Sequence, residues 1–250
     1  MLSEQTITKL NDMRLYKMAE TLRKIDEKDD SENLSFDDKM GLIVDAEWLN
    51  RQNNRLIRLT RGAKFSIPTA SIEGIQYDPE RHLDKSLIMK LSLCNYIQKA
   101  MNVIILGATG TGKSYLSCAL GHAAISMFYS VRYIRLPELF VELEEARAEG
   151  KYQQVIKEYQ KFNLLILDEW LTFPITTENA RDLLEIIDGR YNRESTIFCT
   201  QFKVDGWFQK IGEETYADAI CDRIIHNAYT ITLEGDSMRK ILGTKNQESE

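Results

Sequence analysis

Residues 103–114 read Val103-Ile104-Ile105-Leu106-Gly107-Ala108-Thr109-Gly110-Thr111-Gly112-Lys113-Ser114. The apolar run predicts a short buried strand, the glycines a tight turn, and Lys113–Phe128 a helix. The stretch fits G-x-x-x-x-G-K-[ST] in the strand–loop–helix setting that a phosphate-binding loop needs. Glycines let the backbone turn so that several N–H groups point at one anion. The helix that follows adds unpaired N–H groups and its dipole. Lys113 supplies a point charge for the β- and γ-phosphates, and the Ser114 hydroxyl suits Mg²⁺. The expected ligands are ATP and Mg²⁺. The expected nucleotide contacts are Gly107, Ala108, Thr109, Gly110, Thr111, Gly112, Lys113, Ser114 and the adjoining Tyr115.

Downstream, Leu164-Leu165-Ile166-Leu167-Asp168-Glu169 is a second apolar run, ending in two carboxylates. In an open α/β sheet the carboxyl edge of the strands is where ligands sit. Asp168 is suited to hold Mg²⁺ through water, and Glu169 to polarise an attacking water. A glutamate there favours hydrolysis over transfer to a small-molecule hydroxyl, so a small-molecule kinase or a non-hydrolysing scaffold is the weaker reading. The next strand, Ser195–Gln201, ends in Thr200 and Gln201. Either is placed to contact the γ-phosphate or the water, or simply to cap the following loop. Arg223 lies in the helical stretch Ala219–His226, where pairing with Asp222 or Asp218 is the ordinary alternative to a phosphate role. Arg239 carries the same ambiguity.

Further apolar runs at Val131–Ile134, Thr196–Cys199 and Tyr229–Leu233 alternate with amphipathic segments at Pro137–Ala148, Thr176–Tyr191 and Thr215–His226. This is the pattern of a parallel sheet covered on both faces. Asp84–Ala100 reads as one helix. Before it, Ile7, Leu10, Leu15, Met18, Leu22 and Ile25 are compatible with one helix over residues 3–25, and the acidic run 26–32 reads as a linker. A second helix is expected from Phe36 to Leu59, with Ser35 as its N-cap. The predicted organisation is a helical N-terminal domain over 1–66, a three-layer α/β/α nucleotide-binding domain over 67–243, and a polar tail at 244–250.

The net charge is −6, which taken alone argues against a nucleic-acid partner. The distribution matters more. Arg51, Arg55, Arg58, Arg61 and Lys64 follow one another with no acidic residue between them, and the first three fall at i, i+4 and i+7 on one helix face. Such a stripe suits non-specific phosphate contact. The four cysteines lie far apart with no C-x-x-C pair, so reduced, buried thiols are expected. No stretch approaches the roughly 18 uncharged apolar residues that a membrane helix needs, and the N-terminus lacks the apolar core of a signal peptide. A soluble, intracellular protein without membrane contact is expected.

The chain resembles the IstB family of transposition-helper ATPases, relatives of the DnaC helicase loaders within the AAA+ group. The resemblance runs from Glu47–Leu56 through both motifs and Val131–Pro137 to Ala217–Ala228 and Gly235–Arg239. It implies an AAA+ core with ATP bound between subunits and self-association into an oligomer. It implies that Thr200 or Gln201 is the polar sensor after the fourth strand, Arg223 an arginine finger reaching a neighbour's γ-phosphate, and Arg239 a second sensor arginine. Ser71–Tyr77 resembles the segment lining the adenine pocket. Largely non-sequence-specific duplex DNA, a partner transposase and a bacterial cytoplasmic location, on the nucleoid when DNA is bound, are implied as well. Many relatives carry Asp-Asp where this chain has Asp168-Glu169. A replicative helicase loader of DnaC type is the alternative; it would prefer single strands.

Overall fold

The computed structural model describes residues 4–27 and 34–238. Arg239, the tail 244–250 and most of the acidic run 26–32 lie outside the described residues. The chain divides into two compact units, one ending at Arg58 and one starting at Leu59.

The first unit contains α1 (Glu4–Asp12), α2 (Tyr16–Glu27) and most of α3 (Phe36–Ala63), which continues past the division. The helix expected over 3–25 is in fact two. Arg14 takes a left-handed φ of 59°, and the Arg14 N–H closes the turn onto the Asn11 carbonyl at 2.9 Å. Asn11 and Asp12 explain the break, because their side chains compete for backbone hydrogen bonds. Ser35 caps α3 as expected. Its Oγ accepts from the Asp38 N–H at 3.1 Å, and an Asp38 carboxylate oxygen accepts from the Ser35 N–H at 3.2 Å. Glu47, buried on α3, accepts from the Lys17 N–H at 3.0 Å and from Arg51 Nε at 2.9 Å.

The second unit is built on a five-stranded parallel sheet of order β2-β3-β4-β1-β5. The strands are β1 (Asn102–Gly107), β2 (Val131–Arg135), β3 (Leu164–Trp170), β4 (Ser195–Thr200) and β5 (Ala228–Leu233). Every residue of central β4 is buried, whereas β5 at the edge alternates, as a strand with one neighbour should. The two faces of the sheet are covered by different helices. Ile104, Leu165, Leu167 and Phe198 pack into a core with α7 (Leu136–Ala148), α8 (Tyr152–Lys161), α9 (Thr177–Arg190), α10 (Val204–Ile211) and α11 (Glu214–Ile225). Ile166 and Cys199 point the other way, toward α6 (Lys113–Ser126), which follows the phosphate loop. This is the expected three-layer α/β/α arrangement.

Three details depart from the expected element list. The stretch 84–100 splits into α4 (Lys85–Ser92) and α5 (Asn95–Gln98), because Cys94 turns through φ 60°. Helices α8 and α10 add to the expected elements. Arg190, 2% exposed, fastens the edge where β3 and β4 begin. It donates to the carbonyls of Tyr159 at 2.8 Å, Phe162 at 2.7 Å and Ser195, and to Thr196 Oγ1 at 2.9 Å. At the other end of β3, Trp170 packs edge-on against Phe198 and Trp207, with ring centroids 4.7 and 5.7 Å away. All four cysteines are free and buried. Among the described residues, no helix is long and apolar enough to cross a membrane.

Candidate nucleotide-binding site

The phosphate loop leaves β1 at Gly107 and enters α6 at Lys113. Gly110 and Gly112 have φ of 86° and 96°, a region that side chains resist, and these turns let the loop coil over its own backbone. Lys113 Nζ donates to the carbonyls of Gly107 and Ala108, both at 2.7 Å. The Thr111 hydroxyl closes onto the Ala108 carbonyl at 2.9 Å. Tyr115, in the first turn of α6, accepts from the Ser71 N–H at 3.3 Å and so ties the helix to the segment 71–77. A cavity of about 410 Å³ opens beside the loop, lined on one side by Gly110, Gly112, Lys113 and Ser114 and on the other by Gly74, Ile75 and Gln76. Apolar Ile67, Leu83, Leu116, Leu233 and Met238 line it as well, with Arg81 and Tyr115. A compact, largely apolar pocket joined to a glycine-rich loop at a helix N-terminus is what an aromatic base carrying phosphates needs.

The acidic strand end meets the loop directly. Ser114 Oγ donates to Asp168 Oδ2 at 2.6 Å, which joins the α6 N-terminus to the carboxyl edge of β3. A hydroxyl and a carboxylate this close form a donor set that fits Mg²⁺, an ion held by few protein oxygens and completed by phosphates and water. Asp168 is 4% exposed, and two further groups hold it: the Glu169 N–H at 2.8 Å and the Tyr133 hydroxyl at 2.6 Å. Burial, and then the Asp168 charge, push the Tyr133 phenol well above its ordinary range, so it stays a donor.

Glu169 is set apart from Asp168 by a bulge. The β3–β4 register shifts between Leu167 and Trp170, and Glu169 adopts φ 55°. Its carboxylate is thereby left 41% exposed and lies 3.6 Å from Arg135 NH1. Arg135, the last residue of β2, also donates to Glu138 through Nε at 3.0 Å and through NH2.

The remaining expected residues fall in different places. Thr200 pairs with Leu106 in the sheet register, so the end of β4 adjoins the phosphate loop. Its hydroxyl is spent on the backbone, accepting from the Phe202 N–H at 3.1 Å and lying 3.2 Å from the Trp170 carbonyl; Gln201 is exposed. Arg223 does not line the cavity, and it pairs with neither Asp222 nor Asp218. Its Nε donates to Asp188 Oδ1 on α9 at 2.8 Å and its NH1 to the Ala219 carbonyl at 2.9 Å. It shares a cleft with Asn102 and Asn227 at the start of β1 and β5, the sheet edge opposite the phosphate loop. Arg51, Arg55, Arg58 and Arg61 lie on α3 and Lys64 just beyond it, all exposed. Tyr133 and Arg135 had not been singled out from the sequence. Their placement depends on the β2–β3 register, in which Arg135 pairs with Asp168.

A family model described as IstB-like ATP binding protein matches residues 8–247. A Sinorhizobium fredii protein named as an insertion sequence ATP-binding protein is 42% identical over 240 residues, covering 96% of this chain and 98% of its own. A Pseudomonas fluorescens protein named as the ATP-binding protein of insertion sequence IS1162 is 37% identical, over 80% of this chain and 87% of its own. Among solved structures, AMPPCP-bound DnaA from Aquifex aeolicus superposes with a TM-score of 0.58 at 19% identity, covering 74% of this chain and 57% of that one. The DnaC helicase loader does so with 0.57 at 16% identity, covering 66% and 97%. At these identities the likeness shows a shared AAA+ fold.

Proposed function

From the premise that this chain belongs to the IstB-like ATP-binding protein family, we propose that it is a DNA-bound helper ATPase of transposition. The observation that carries this reading is the 2.6 Å contact between Ser114 and Asp168, beside an exposed Glu169. It brings the metal-binding pair and a candidate water-polarising base to the phosphate loop at one sheet edge. Bound Mg²⁺ would neutralise charge on the phosphate oxygens. Lys113 exchanges the loop carbonyls for β- and γ-phosphate oxygens, the loop N–H groups hold the chain of phosphates, and Glu169 accepts the proton of the attacking water. With the Thr200 hydroxyl taken by the backbone, Gln201 is the residue left to orient that water.

Arg223 lies at the opposite sheet edge from its own phosphate loop. A strand of six residues separates the two by about 17 Å, which favours service to a neighbouring subunit. In this reading ATP completes its site between subunits. Duplex DNA is held, without base readout, by repeated copies of the α3 stripe of Arg51, Arg55, Arg58 and Arg61, with Lys64 just beyond it. The assembly prepares target DNA for a partner transposase, on the bacterial nucleoid.

The test is titration into labelled random-sequence DNA, duplex and single-stranded, with ATP, ADP or no nucleotide, alongside Glu169→Gln. Salt-sensitive duplex binding that needs ATP and lasts longer in Glu169→Gln is expected. Preference for single strands would replace this reading with a helicase loader, and binding to neither would remove DNA from it.

A further inference from the structure

Arg81 belongs to none of the sequence motifs, yet it is built into the wall of the same cavity. It ends the 3-10 turn Pro79–Arg81 and is only 8% exposed. Its NH1 donates to the Gln76 carbonyl at 2.6 Å and its NH2 to the Thr111 carbonyl at 2.7 Å. Gln76 stands in the wall across from the phosphate loop, and Thr111 is in that loop itself. One planar guanidinium therefore spans the two halves of the cavity, a fork that the single ammonium of lysine cannot reproduce.

Buried arginines usually answer to a carboxylate. Among the described residues none pairs with Arg81, and its buried Nε has no hydrogen-bond partner. Two carbonyls on two segments, plus one donor left over between them, are the arrangement of a brace across a ligand site. A third segment supports the brace from outside: the Glu234 N–H reaches the Arg81 carbonyl at 3.4 Å, and His82 Nδ1 lies 2.7 Å from Glu234 Oε2.

We propose that Arg81 is a positioning residue that fixes the separation between the base-side wall and the phosphate loop, so that a purine nucleoside triphosphate is gripped at both ends at once. The proposal rests on the nucleotide-binding reading of the cavity. It assigns Arg81 to the selection of whole nucleotides and not to the holding of phosphate. A ligand that touches only the loop gains nothing from the brace; one that spans the cavity does.

The experiment compares ATP with inorganic tripolyphosphate, each titrated calorimetrically with Mg²⁺ into the full chain as wild type, Arg81→Gln and Arg81→Lys. Far-UV circular dichroism confirms folding; if the glutamine variant fails to fold, the lysine variant carries the comparison. The loss of a buried charged hydrogen-bond pair is expected to weaken ATP about tenfold in Arg81→Gln while tripolyphosphate changes by less than about twofold. Arg81→Lys should recover part of the ATP affinity. Equal losses for both ligands would make Arg81 a support of the phosphate loop alone, and unchanged ATP affinity would make the brace irrelevant; either overturns the proposal. Wild-type protein that takes neither ligand would instead sink the nucleotide reading beneath it.

Discussion

Arg135 holds two carboxylates at once: Glu138 one turn along its own segment, and Glu169 across the sheet edge at 3.6 Å. The second of these is the candidate base, so the pair restrains the group that must turn toward water. Removing the arginine should speed the basal reaction. Both side chains are about half exposed, and pairs of that kind are worth roughly 0.2–1 kcal/mol. Arg135→Ala should therefore raise DNA-free phosphate release by up to about fivefold, with the gain shrinking as salt rises. Glu138→Ala, which leaves the arginine to Glu169 alone, should lower it.

Tyr133→Phe removes one donor from a buried carboxylate and leaves the ring in place. The expected cost is about 1–2 kcal/mol of stability in urea unfolding. A less firmly held Asp168 should also raise the Mg²⁺ concentration needed for half-maximal turnover. Unchanged Mg²⁺ dependence would place the phenol outside the metal site.

Arg190→Met, at the end of α9, should be strongly destabilising to the edge where β3 and β4 begin. It strands several buried acceptors that one cation now satisfies, and the loss of a buried charged group with its bonds runs to about 3–5 kcal/mol. Burial pushes the Arg190 pKa down to about 9, and the nearby Glu194 charge opposes that. Denaturant midpoints of wild type and variant give the comparison.

Acid should loosen the N-terminal unit through Glu47. Burial opposes its charged form, but the Arg51 hydrogen bond, with the Lys17 and Met18 N–H groups, brings its carboxyl below the usual range. A depressed carboxylate contributes stability that is complete above its unfolded value, about 4.3, and disappears as pH falls through the folded one. The difference in melting temperature between wild type and Glu47→Gln should be constant near neutrality and narrow below about pH 4.

Arg51 is already engaged by Glu47, whereas among the described residues Arg58 and Arg61 make no ion pair. DNA affinity should feel that difference. Arg58→Gln should reduce the slope of log K against log salt by about 0.9, the value of one lost phosphate contact. Arg51→Gln should reduce it by less.

What the sequence made legible was whatever it keeps local. The glycine pattern, Lys113 and Ser114 sit within one turn of chain, Asp168 and Glu169 follow their own apolar run, and Ser35 caps a helix three residues from its partner. The contacts that were not legible join distant segments. Arg81 meets Thr111 30 residues away, Tyr133 meets Asp168 across 35, and Arg223 meets Asp188 across 35. No periodicity encodes such pairs; the strand register and helix packing create them. Helix α8 is only weakly marked in the sequence because eight of its ten residues, YQQVIKEYQK, are polar or aromatic, and only Ile156 and Tyr159 are buried. Helix α10 was hidden by Gly206, which reads as a loop residue.

The aromatic cluster at the end of β3 makes the protein its own optical instrument. Of its three tryptophans, Trp48 belongs to the N-terminal unit and is 57% exposed, whereas Trp170, which ends the candidate catalytic strand, and Trp207, packed against it, are fully buried. Trp170 follows Glu169 directly in the chain, so a change of the backbone at Glu169 would alter the surroundings of its indole. Emission from the buried pair should report nucleotide turnover, and emission from Trp48 should report what α3 touches, both in unlabelled protein.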